Sequence, residues 1–152
     1  MSLVSTIKTV VQVVNNLDES RRIYEAGLGL KCVAEAETSV NEIGELWGVS
    51  DGNFRLARFA REGEDFGGVD LVENKEATAT MRDKNRAFDF GIMTFNYRCN
   101  NIEKAVPMLE KVGCHPVSEI LNYNVGKPMR ELMFNTPTGR ASDHYRSRWS
   151  ER

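Results

Sequence analysis

The run Ile7-Lys8-Thr9-Val10-Val11-Gln12-Val13-Val14 is crowded with β-branched residues, as in a strand, and Asn15-Asn16 ends it with the residue type that caps helices. Leu17, Ile23 and Tyr24 then share one side of a helical wheel. This spacing predicts an amphipathic helix from Leu17 to about Ala26, with Gly27 and Gly29 as its left-handed exit. The same signals return downstream. Phe90 to Tyr97 reads as a strand, Asn100-Asn101 as the cap, and Ile102, Ala105, Val106, Leu109 and Val112 as a second helix ending at Gly113. The two Asn-Asn pairs lie 85 residues apart. Pro107 falls beyond the first turn of that helix, where it removes a backbone donor, so the pattern predicts a kink or a late start.

Strand-like segments follow each helix. Lys31 to Glu37, Asn53 to Phe59 and Gly68 to Glu73 complete the first copy; Pro116 to Ile120, Arg130 to Phe134 and Arg140 to Tyr145 complete the second. The fold class is therefore α+β, two tandem βαβββ modules. Such a half cannot cover its own sheet, so the two are expected to join in a curved mixed sheet that encloses a cup. The whole chain, 1–152, reads as a single domain: module one over about 5–73, a polar linker over about 74–88 and module two over about 89–146. Module one carries an insertion, Val40 to Val49, in which Ile43, Leu46 and Trp47 have helical spacing and predict a short helix near the cup mouth.

Composition narrows the range of partners. Acidic and basic residues number 22 and 20 and form no long blocks, which argues against a nucleic-acid or anionic-membrane footprint and for a small-molecule partner. No apolar run approaches the roughly 20 residues that span a bilayer, and Met1 to Ser5 lack a basic stretch followed by an apolar core, so a cytoplasmic protein is expected. Cys32, Cys99 and Cys114 show no paired spacing and read as free thiols rather than a disulfide framework or a structural zinc site.

The stretch Val13-Val14-Asn15-Asn16-Leu17-Asp18-Glu19-Ser20, with Tyr24 and Leu28-Gly29-Leu30, resembles the opening of vicinal oxygen chelate proteins, the glyoxalase and bleomycin-resistance group. Phe134-Asn135-Thr136-Pro137-Thr138-Gly139-Arg140 is similar to the turn before that family's last strand. The resemblance spans nearly the whole chain. It implies metal ligands at four positions, one on the first and one on the last strand of each module, which correspond here to Thr9, Asp70, Thr94 and Asp143. Homodimers are common among the drug-sequestering members of the family.

That set is poor in transition-metal ligands, which are imidazole, thiolate and carboxylate; a weak divalent ion such as Mg²⁺ on Asp70 and Asp143 is the most it would hold. The expectation is a site without a cofactor. His115 and His144 do not complete one, and a ring-cleaving iron site lacks its histidines. Asp70 and Asp143 are isolated acids in β-prone runs. As neighbours in an apolar pocket they would repel, so that one accepts and the other donates a proton beside a substrate carbonyl, as in a lyase or an isomerase or epimerase. Thr9, Thr94, Asn96 and Tyr145 are candidates to hydrogen-bond substrate oxygens, and Trp47 and Phe54 to line the cup. The competing reading is a binding protein without chemistry, like the bleomycin-resistance members.

Overall fold

The computed structural model describes residues 7–39, 52–64, 66–76, 94–137 and 144–151, with 94, 95 and 144–151 described by their backbone. The described elements fall into an N-terminal unit, βαβββ, and a C-terminal unit that repeats this order with one further short strand after its helix.

In the first unit β1 (Thr9–Val14) runs parallel to β4 (Gly68–Asn74), and β3 (Asn53–Ala60) and β2 (Lys31–Ser39) follow antiparallel, giving the order β1-β4-β3-β2. Period-two alternation sorts its side chains. One face carries the rows Val10, Val69, Phe59 and Gln12, Leu71, Ala57, and it is covered by α1 (Leu17–Arg22) and the π-helical turn Ile23–Gly27 that continues it. The Tyr24 ring packs on Phe59 at a centroid distance of 5.5 Å, and its hydroxyl donates to Gln12 Oε1 at 2.5 Å, which satisfies a buried amide.

The cap reading locates the start of α1: the Asn16 side chain accepts from the Glu19 N–H at 2.9 Å. Of the two glycines expected at the exit, only Gly29 takes a positive φ, +67°. The helix widens into a π turn instead of ending, which keeps both Ile23 and Tyr24 on the buried side, so the left-handed residue falls later. In β2 the register slips between Cys32 and Ala34, a β-bulge that leaves Val33 exposed.

In the second unit β5 (Thr94–Arg98) runs parallel to β9 (His144–Glu151), and β8 (Pro128–Pro137) pairs antiparallel with β9, with β6 (His115–Pro116) and with β7 (Leu121–Asn124). Helix α2 (Ile102–Lys111) begins on Asn101, whose side chain accepts from the Lys104 N–H at 2.8 Å. Pro107 lies inside it without the expected late start, because the Asn101 cap and buried Ile102 and Leu109 fix the helix from its first residue. Gly113, at φ +87°, ends it, and the Cys114 N–H donates back to the Leu109 carbonyl at 3.0 Å. Leu132 and Phe134 of β8 join this core.

The expected strand Pro116 to Ile120 shrinks to His115–Pro116, although Val117 N–H to Met133 O (2.9 Å) and Met133 N–H to Ser118 Oγ (3.1 Å) prolong the contact with β8. The expected Arg140 to Tyr145 begins, among the described residues, at His144. The insertion at 40–49 and most of the 74–88 linker lie outside the described residues. No helix among the described residues is long and apolar enough to cross a membrane.

Candidate functional site

The face of the first sheet turned away from α1 carries three cross-strand rows: Thr9 opposite Gly68, then Val11, Asp70, Arg58 and Ala34, then Val13, Val72, Leu56 and Ala36. Val11 and Val13 are exposed, at 52% and 61%, although they stand in a strand of a packed sheet. Exposed valines in adjacent rows around a polar centre are what a ligand face requires.

The polar centre follows from register. Asp70 and Arg58 stand directly opposite each other on β4 and β3, and Arg58 donates to both carboxylate oxygens, Nε to Oδ1 at 2.6 Å and Nη2 to Oδ2 at 2.8 Å. The Arg58 guanidinium holds the Asp70 carboxyl below its usual range, against an opposing push from burial, and the Thr9 hydroxyl beside it acts in the same direction as Arg58. Asp70 in turn raises Arg58. The Thr9 Oγ1 is itself buried and completes no hydrogen bond of good geometry among the described residues.

Thr9 and Asp70 are thus brought together, on adjacent strands and one face, as alternation from Val11 predicts. Phe54 is buried in β3, one row beyond Leu56, and borders a polar groove of about 410 Å³ with Glu37, Thr38, Ser39, Asn53 and Lys75. In the second unit Thr94 stands opposite Arg146, Asn96 is exposed and opposite Arg148, and Tyr145 is opposite Thr136. Trp47 and Asp143 lie outside the described residues.

Register also changes one correspondence. Asp70 pairs with the residue two beyond Thr9, and the residue two beyond Thr94 pairs with Arg148, so Arg148 and not Asp143 occupies the position matching Asp70.

The donors of the first unit do not fit a transition metal. Thr9 offers a neutral hydroxyl, Asp70 has both oxygens committed to Arg58, and no group of three or more His, Cys, Asp or Glu gathers among the described residues. His115 is exposed in β6.

Arg58 is the residue that sequence reasoning missed. Its signal was present in the turn that includes Gly63: β3 and β4 fold back on each other there so that residues equidistant from Glu64 meet.

No family model matches the chain, and no curated protein matches it. Solved structures do. A glyoxalase family protein from Bacillus cereus is 16% identical, with 99% of this chain and 95% of that one covered at a TM-score of 0.81. A glyoxalase family protein from Enterococcus faecalis is 13% identical, with 95% and 96% covered and a TM-score of 0.65. The trypanothione-dependent glyoxalase I of Leishmania major is 13% identical, with 97% and 87% covered and a TM-score of 0.64. The chain has the glyoxalase-like, vicinal oxygen chelate fold that its repeated βαβββ pattern and its two end motifs indicated.

Proposed function

We propose that this protein binds a small organic molecule against the face of the first sheet turned away from α1, with Val11, Val13 and Leu56 meeting its apolar body and Thr9 and Arg58, the latter held by Asp70, its polar end. The observation that carries this reading is the paired Arg58 and Asp70, with the buried Thr9 hydroxyl beside them, in an exposed apolar surround. The setting favours recognition over proton transfer at Asp70, since a base works best with a pKa near the working pH and Arg58 draws this one the other way.

A second reading, a lyase or isomerase with Asp70 as proton acceptor, has in its favour that Asp70 is ionised at neutral pH. A metal-free site belongs to either reading on the donor chemistry above. Homodimeric assembly and a cytoplasmic setting are part of the same proposal, and light scattering checks the first.

Amide-shift mapping with a library of small fragments tests the binding reading: hits are expected to move Thr9, Val11, Val13, Leu56, Arg58 and Asp70 together. Hits that consistently map elsewhere would reject it. Deuterium exchange beside the carbonyl of a bound ketone, lost in Asp70→Asn with binding retained, is the result that would instead favour catalysis.

A further inference from the structure

We infer that the polar end of the ligand is a carboxylate, received by the edge of the Arg58 guanidinium that Asp70 leaves open; this rests on the binding reading above. Asp70 takes the Nε–H and one Nη2–H, at 2.6 and 2.8 Å, so the ion pair occupies the side edge of the guanidinium. The Nη1 hydrogens and the other Nη2 hydrogen remain outside the pair, and one Nη1 hydrogen with that Nη2 hydrogen forms the end fork, whose planar spacing matches the two oxygens of a carboxylate. A ligand carboxylate can therefore add to Arg58 without displacing Asp70.

Exposure supports this division of labour. The Asp70 side chain is 18% exposed and the Arg58 side chain 52%, so the acid is the inner partner and the guanidinium reaches solvent. Asp70 is a positioning residue that holds Arg58 in one orientation, and it has no second oxygen with which to compete for the ligand. The neighbouring rows add no other acid: Glu35, Glu37 and Glu73 all fall in rows of the face that α1 covers, Glu37 and Glu73 on either side of Arg55. An arriving anion thus meets one fixed fork flanked by Val11, Val13 and Leu56, which selects a monocarboxylate carrying an apolar body.

Benzoate and benzamide provide the test, since they share a ring and differ in the charged fork-matching group. Each is titrated into the 15N-labelled protein while the amides of Val11, Val13, Leu56 and Arg58 are followed. Benzoate is expected to bind at least about fivefold more tightly than benzamide. Arg58→Gln should abolish the preference, and Arg58→Lys, which keeps the charge and loses the fork, should retain only part of it. If Arg58→Gln does not fold, the lysine variant decides alone, and a full benzoate preference in it overturns the inference. Equal binding of the two probes on this face overturns the carboxylate and leaves the binding reading standing. Shifts from neither probe on this face overturn both.

Discussion

At the residue scale, the pair Arg58 and Asp70 ties stability to pH in a direction that can be worked out. The folded-state pKa of Asp70 is lowered from its usual 3.8, so the pair stabilises the fold above that value and the contribution is lost as pH falls through the lowered one. Asp70→Asn should cost about 0.5–1 kcal/mol at pH 7, a figure kept small by solvent screening at the half-exposed guanidinium. Urea unfolding at pH 7 and at pH 2.5, below the ordinary carboxylate range, should show a smaller difference between wild type and variant at the lower pH. On the other face, Tyr24→Phe removes the hydroxyl donor from buried Gln12 and should cost about 1–2 kcal/mol by the same method, with little pH dependence. Alternation made Thr9 and Val11 legible as one face, and an acid among valines marked Asp70. Arg58 was not legible as its partner, because an arginine in a strand is ordinary until the Gly63 turn supplies the register.

At the element scale, the caps were the most readable features. Asn16 and Asn101 each accept from the backbone N–H three residues on, 85 residues apart, and the physics is local enough to need no tertiary context. Asn101→Ala should destabilise by about 1 kcal/mol in thermal or urea unfolding. Pro107→Ala should act oppositely, by about 1 kcal/mol or more, since it restores an N–H facing the Glu103 carbonyl inside α2. Less local features escaped. The π turn at Ile23–Gly27 arises from packing Ile23 and Tyr24 together against the sheet, which a wheel of fixed period does not represent. Strand β7, Leu121–Asn124, is short and wholly exposed, and is defined by pairing with β8 around Gly126 rather than by a buried alternation.

At the scale of the whole molecule, a repeated βαβββ pattern recovered the glyoxalase-like fold, even though solved structures that share it are only 12% to 18% identical. The fold persists because it depends on periodicity, caps and turns, which many residue choices satisfy. Chemistry depends on individual side chains: one face of the first unit carries a hydroxyl and a carboxylate paired with Arg58, and Arg148 holds in the second unit the register position that Asp70 holds in the first. The central claim is that the first sheet presents a ligand face centred on Thr9, Arg58 and Asp70. Crystallographic fragment soaking tests it most directly. The account predicts ordered fragments over the Val11 and Val13 rows, with an oxygen within hydrogen-bonding distance of Arg58 or Thr9; fragments found repeatedly at other sites, with this face bare, would contradict it.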